Sequence, residues 1–185
     1  MEDFNVYYNL ENYVRNIVRR KFDQQGDIDG FDFFCIIIWK ANRAKTKIAD
    51  RLLKLKKDAN LDSICKELTQ QIAYKEPKER LRILFEDYKF LLPMASAILS
   101  ILYPDEFSVY DVRVCGILEN FKDLGNITNF EKLWKEYEKY LTAVKAYNPS
   151  KKNYIEADQN LWGKSFYDEL TVDIKTNFAR LLDKK

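Results

Sequence analysis

Apolar residues recur every three or four positions along most of the chain, the spacing that forms one face of an α-helix. Residues 10–18 show this spacing first, and Asn9 stands where a helix-capping side chain is expected. The same spacing recurs in seven later segments, at residues 44–57, 60–72, 77–88, 111–121, 129–144, 161–166 and 174–182. It predicts an all-α fold of about nine or ten helices joined by short connections.

The segment Phe31–Trp39 is apolar on nearly all sides, which fits either a strand or a fully buried helix. No second run of similar strength is present to pair with it as a strand, so we predict a buried central helix. Pro77 and Pro93 stand in the expected first turns of two later helices, where a missing N–H group is tolerated. The small residues Ala95–Ala97 allow a neighbouring helix to approach closely.

Further helix starts are expected at residues with capping side chains, namely Asn60, Asp111, Asn129 and Asn153. The helix that begins at Asp111 is predicted to run through Leu118 to Phe121. Glu156 follows Asn153 by three positions, as in a capping box.

The composition supports a helical domain with a substantial core. Of the 185 residues, 46% are hydrophobic and 15% are aromatic, which rules out a disordered chain. There are only five glycines and four prolines, and this scarcity disfavours a β-sandwich or barrel, because those folds need many tight turns. The length fits a single all-α domain over residues 1–185, or two small helical lobes that share a cleft.

The chain has no histidine, which excludes Ser-His-Asp and Cys-His catalysis and every histidine-ligated metal site. Cys35, Cys65 and Cys115 lie far apart in apolar settings, a distribution that fits neither a disulfide framework nor a zinc or iron–sulfur site. We predict reduced core thiols, a cytoplasmic protein, and no cofactor or metal. The acidic segment 1–4 does not resemble a signal peptide, and no apolar run is long enough to span a membrane.

Basic residues are concentrated in one part of the chain, although the net charge is only +2. Between positions 40 and 57 a single acid, Asp50, accompanies Lys40, Arg43, Lys45, Lys47, Arg51, Lys54, Lys56 and Lys57. Such a strip can face DNA phosphates. It can equally be the solvated side of an amphipathic helix whose inner face is Ile48, Leu52 and Leu55.

The stretch from Phe90 to Val114 contains a small-residue helix, a short extended segment and the signature Tyr-Asp-Val-Arg-Val at 110–114. It resembles the core of the helix-hairpin-helix DNA glycosylase superfamily. A later Leu-Trp-Gly-Lys stretch at 161–164 makes the chain similar to an uncharacterised bacterial branch related to that superfamily. The family's hairpin carries Gly-apolar-Gly, whereas residues 90–93 contain no glycine. Pro93 or Met94 stands where lyase members of the family have a lysine, which argues against a Schiff-base mechanism.

The resemblance implies a monofunctional DNA-repair glycosylase, a hydrolase that removes a damaged or modified base from duplex DNA. Asp111 would be the catalytic carboxylate, since a negative charge stabilises the oxocarbenium-like sugar. Tyr110 and Trp162 would line the pocket for the extruded base. The residues implied to contact DNA are Lys40, Arg43, Lys45, Lys47, Arg51, Lys89 and Arg113.

Each of these residues also has a simpler interpretation. Asp111 can serve only as a helix cap, Arg113 can pair with a nearby acid such as Glu119, and Trp162 can pack in the core beside Phe166. The sequence therefore leaves three functions open: a glycosylase, a non-catalytic DNA-binding protein on the same scaffold, and a helical protein-interaction module without a nucleic-acid role.

Overall fold

The computed structural model describes residues 4–57 and 59–178, and within these ranges the chain contains helices and no strand. The predicted all-α class is confirmed. The described residues form eight helices: α1 (the consecutive segments Leu10–Asn12, Tyr13–Val18 and Arg19–Gln25), α2 (Gly30–Ala41, Asn42–Ala44 and Lys45–Leu55), α3 (Leu61–Ala73), α4 (Pro77–Arg82 and Ile83–Asp87), α5 (Leu92–Leu102), α6 (Val112–Ile117), α7 (Phe130–Tyr147) and α8 (Tyr154–Val172 and Asp173–Asn177).

The number of helices in the described ranges is slightly lower than predicted. The central apolar helix Gly30–Ala41 and the basic helix Lys45–Leu55 are distinct α-helical segments, as predicted, but they are counted here as one helix because only the 3-10 turn Asn42–Ala44 joins them. The chain bends at Ala41, whose φ of −159° and ψ of 82° are not helical, and it continues directly into Lys45–Leu55.

The chain divides into two compact units, Met1–Phe107 and Ser108–Lys185. The first unit contains α1 to α5, and the second contains α6 to α8. Each unit has its own buried residues, so each is described by itself below.

The predicted asparagine caps are confirmed. The side-chain oxygens of Asn9, Asn60, Asn129 and Asn153 each accept a hydrogen bond from the backbone N–H three residues later. At the fourth cap, Glu156 accepts from the N–H of Lys152 at 3.3 Å, one residue before the Asn153 N–H that a capping box uses. The four asparagine bonds satisfy N–H groups that a helix start leaves without an intrahelical partner.

In the first unit the core is built around the first part of α2. Phe33, Ile36 and Ile37 are fully buried, and the Phe33 ring lies 6.2 Å from that of Phe90. Helix α5 is buried along the whole stretch from Ala95 to Leu102, as its small residues predict. The prediction of a buried central helix is therefore confirmed.

A carboxylate lies inside this apolar core. Asp32 is 1% exposed and accepts hydrogen bonds from the Tyr13 hydroxyl and the Lys21 ammonium, both at 2.6 Å. The hydrogen bond to Asp32 raises the pKa of Lys21. The pKa of Tyr13 is raised mainly by burial and secondly by its hydrogen bond to Asp32. Three polar groups thus tie α1 to α2 inside the core.

Three details of the predicted helices are wrong. Leu55, expected on the inner face of the basic helix, is 42% exposed, because the helix ends there. Helix α6 ends at Ile117 and does not reach Phe121, since Glu119 and Phe121 have left-handed φ values of 53° and 70° that stop it. Phe166, expected to pack in the core, is 48% exposed. Leu181 and Leu182 of the predicted last helix lie outside the described residues.

In the second unit buried tyrosines hold the segment that leads into α6. The rings of Tyr137 and Tyr140 stack at 5.8 Å with an interplanar angle of 17°. Their hydroxyls donate to the backbone carbonyls of Ser108 and Val109, at 2.5 and 2.7 Å. Helix α7 therefore fixes the extended backbone that ends at Asp111.

Candidate functional site

Three basic residues share one side of the helical segment Lys45–Leu55. Lys47, Arg51 and Lys54 are spaced by four and three residues, so their side chains are neighbours on the helix surface. With Asp50 and Leu55 they line a shallow depression of about 340 Å³. We call Lys47, Arg51 and Lys54 the cationic face.

The other predicted DNA-contacting residues of this region are dispersed. Lys40 is half-buried at the end of the first part of α2, and Arg43 is exposed in the 3-10 turn. Lys45 is exposed but precedes Lys47 by two positions, a spacing that directs the two side chains to different sides of the helix. Lys56 pairs with Glu67 at 2.7 Å. The structure thus reduces the predicted strip to a smaller face.

The hairpin between α4 and α5 lies against this face. Arg51 Nη1 donates a hydrogen bond to the backbone carbonyl oxygen of Lys89 at 2.5 Å. Lys89 is exposed, and its φ of 58° is in the left-handed region that favours glycine. The next residue, Phe90, is buried and donates its N–H to the Leu84 carbonyl at 2.9 Å. The hairpin therefore turns sharply at a lysine and presents it beside Arg51.

The sequence carried no signal for this juxtaposition. Lys89 was predicted to contact DNA only through the family resemblance, and lysine is not a residue whose presence indicates a left-handed turn. Arg51 and Lys89 are 38 positions apart, so only the packing of α2 against the hairpin brings them together.

Asp111 caps α6, as its position predicted. Its Oδ1 accepts a hydrogen bond from the N–H of Arg113 at 3.0 Å, and its own carbonyl accepts from the N–H of Cys115 at 3.0 Å. The residue is partly exposed. Helix α6 is only six residues long, so the cap is a large part of what defines its first turn.

Tyr110, the neighbouring residue, is 2% exposed. Its hydroxyl donates toward the carbonyl oxygens of Phe121 and Lys122, both at 2.9 Å, and accepts from the N–H of Gly125 at 3.2 Å. Burial raises its pKa. These bonds anchor the loop that follows α6, which is a structural role for the ring and the hydroxyl.

Trp162 forms an exposed aromatic pair. The indole is 42% exposed, so the interpretation of Trp162 as a core residue is wrong. It stacks on Phe166 with a centroid distance of 5.8 Å and an interplanar angle of 4°. The Arg113 guanidinium lies 5.7 Å from the indole centroid and forms an ion pair with Glu169. The expected pairing of Arg113 with Glu119 is replaced by this one because α6 packs against α8.

A second depression in the described residues, of about 490 Å³, lies beside the loop after α6. It is lined by residues 119–124, Ile127, Lys132 and Glu136. Neither depression includes Asp111, Tyr110 or Trp162 among its lining residues. The sequence pointed to none of the residues around this second depression as a site.

In the described part of the chain, none of the helices combines the length and apolarity needed to cross a membrane. In comparisons with known proteins, no protein-family model, no curated protein and no solved structure matches this chain.

Proposed function

We propose that this protein binds the sugar–phosphate backbone of duplex DNA with the cationic face and Lys89. The observation that carries the proposal is the hydrogen bond from Arg51 to the Lys89 carbonyl, which holds the hairpin beside the basic helical segment. This bond brings the backbone of the exposed Lys89 against the helical segment that carries Lys47, Arg51 and Lys54, which supports a shared phosphate-binding surface. Phosphates are the DNA groups that such a surface contacts without reading the sequence.

The conformation of Lys89 supports the assignment of this turn as a DNA-contacting hairpin. In the superfamily that the sequence resembles, hairpin glycines allow the tight turn and bring backbone N–H groups close to a phosphate. Here Lys89 adopts the left-handed conformation itself, so the turn forms without glycine and carries a positive charge. Pro93 removes one N–H from the following helix start. Side-chain charge is therefore proposed to replace part of the backbone contact.

The experiment is a fluorescence-anisotropy titration of a labelled duplex at several salt concentrations. The test variant is Lys47→Gln/Arg51→Gln/Lys54→Gln. The matched control is Lys132→Gln/Lys135→Gln/Lys139→Gln, which removes three exposed lysines of α7. Each phosphate contact contributes about 0.9 to the slope of log K against log salt, so the test variant should lose about 2.7 from that slope. Equal effects of the two triple variants would contradict the proposal.

A second candidate, hydrolytic release of a base through Asp111, is supported by a different observation. The partly exposed Asp111 carboxylate is followed two residues later by Arg113, whose guanidinium lies over the exposed Trp162–Phe166 stack. An exposed stack can receive a base, and a carboxylate can stabilise the charge that develops on the sugar. This candidate requires the stack to stay uncovered, so it and a protein partner on the same face of α8 exclude each other.

Asp111→Asn tests this candidate cleanly, because asparagine caps helices as well as aspartate does and removes only the charge. Base release from duplexes that carry a panel of modified bases should be lost in this variant while duplex binding persists. Release that survives Asp111→Asn would refute the assignment.

A further inference from the structure

The second half of α8 has no buried residue. The first half buries Ala157, Asp158 and Leu161, but every residue from Trp162 to Phe178 is half-buried or exposed. Large apolar side chains nevertheless recur along it at a constant spacing of four. They are Trp162, Phe166, Leu170, Ile174 and Phe178, exposed by 42, 48, 39, 59 and 50% respectively. We call these five residues the α8 ridge.

A helix of this length draws little stability from its backbone alone, because most helical stability in proteins comes from packing an apolar face. The uncovered ridge therefore indicates that another surface packs on it. In the α-helical part, which ends at Val172, side chains spaced by four form a ridge inclined to the helix axis, and the π-helical turn Asp173–Asn177 extends it. Two α-helical ridges of this kind interdigitate when two helices cross at about −50°. The shape of the ridge thus fits a second ridge of the same kind.

The charges beside the ridge balance. Lys164 pairs with Asp168 at 2.7 Å, Arg113 pairs with Glu169, and Asp173 and Lys175 add one charge of each sign. This surface therefore lacks the excess of one sign that would select nucleic acid or a strongly charged protein. A partner with an equally neutral, apolar helix face is the complementary one.

The exposed area of this face can be compared with what a dimer needs. An aromatic residue can bury about 150–250 Å², so the ridge together with Tyr167, which is 69% exposed, offers at most roughly 600 Å² per copy. Complete burial in two copies would reach about 1,200 Å², the lower limit for a stable interface before the polar rim is added. We propose that the α8 ridge is the two-fold interface between two copies of this chain.

The test is sedimentation velocity of the full chain from about 1 to 100 µM, where mass action separates monomer from dimer. The wild type should sediment as a dimer with twice the mass of one chain. Leu170→Glu/Ile174→Glu places two charges in the ridge and should weaken association at least about 100-fold. The control, Tyr8→Glu/Tyr74→Glu, changes residues that are 96 and 90% exposed in the first unit and should leave the dimer intact.

A cysteine introduced into the ridge tests the two-fold symmetry of the proposed dimer. Cys35, Cys65 and Cys115 are all buried, so Leu170→Cys adds an accessible thiol at the middle of the ridge. A two-fold axis near this residue should give a disulfide between the two copies under mild oxidation. A wild type that stays monomeric, equal loss of the dimer in both double variants, or a Leu170→Cys dimer that does not cross-link would overturn the proposal. Unchanged helical circular dichroism excludes unfolding of the variants.

Discussion

The guanidinium of Arg51 donates a hydrogen bond to the carbonyl oxygen of Lys89, and this bond joins the basic helical segment to the hairpin before α5. The donor is positively charged, which makes such a bond stronger than one between neutral groups. It also orients the Lys89 backbone, whose left-handed conformation directs the lysine outward. Two residues that contribute charge to the proposed DNA-binding surface thus also define its shape.

Lys89→Gly should stabilise the protein. A non-glycine residue pays about 1 kcal/mol or more in the left-handed region, and glycine removes most of this cost. We expect the free energy of unfolding to rise by about 0.5–1 kcal/mol, measured by urea denaturation. The same variant should bind duplex DNA more weakly, because one cation is lost.

Lys75→Gly is the matched control for this prediction. Lys75 is also an exposed lysine in a turn, but its φ is not positive. Glycine there increases only the freedom of the unfolded chain, so stability should fall by about 0.5–1 kcal/mol. Equal signs for the two variants would contradict the role of the Lys89 conformation.

Asp111→Ala should destabilise the second unit by about 1 kcal/mol, because the hydrogen bond from the Arg113 N–H to Oδ1 is lost. Asp111→Asn keeps an oxygen at the same position, so it should lower the free energy of unfolding by only a few tenths of a kcal/mol, about 0.3. Thermal denaturation followed by circular dichroism distinguishes the two. If both variants lost the same stability, the charge of Asp111, and not its capping bond, would be the stabilising feature.

Asp32→Ala should be among the more destabilising substitutions in the first unit, by about 2–4 kcal/mol, because the buried Tyr13 hydroxyl loses its acceptor and a cavity forms. Tyr13→Phe removes one hydroxyl and should cost about 1–2 kcal/mol. Asp23→Ala is the control: it breaks an exposed ion pair with Arg19, worth about 0.5 kcal/mol or less. Urea unfolding curves of the three variants provide the measurement, and comparable losses in Asp32→Ala and Asp23→Ala would contradict the prediction.

The three buried thiols should make stability fall as the pH rises above 9. Burial raises the pKa of Cys35 and Cys115 to about 11 and that of Cys65 to about 12, each from 9.0. Above pH 9 the unfolded chain releases these protons while the folded chain retains them, so each thiol should lower the unfolding free energy by about 1.4 kcal/mol per pH unit up to its folded pKa. Below about pH 8 the thiols should contribute no slope.

Urea unfolding of the wild type and of Cys65→Ala at a series of pH values between 8 and 11 measures this slope. The variant should show a shallower decline, whatever stability it loses at neutral pH by removing a buried group. If stability fell equally steeply with pH in the two proteins, the pKa of Cys65 would not differ between the folded and unfolded states, and the prediction would be wrong.

The local sequence determined most of the helices, because their signals act over three or four residues. The apolar spacing and the capping side chains of Asn9, Asn60, Asn129 and Asn153 specify where helices start, and the structure places caps at these positions. Helix ends were harder to predict. The stop after Ile117 depends on left-handed residues, Glu119 and Phe121, whose types do not favour that conformation.

The grouping of residues into candidate sites could not be predicted from the sequence, because it depends on how the helices pack. Which lysines share a surface with Lys89 depends on how the hairpin packs against α2, and the partner of Arg113 depends on α8, not on the nearest acid in the sequence. The exposure of Trp162 follows the same logic, since helical spacing identifies an apolar face but not whether anything covers it. The sequence alone determined the all-α class and the helix starts through short-range hydrogen bonds and periodicity. Which distant side chains meet could be seen only in the folded protein, because those contacts arise from packing between helices that are far apart in the chain.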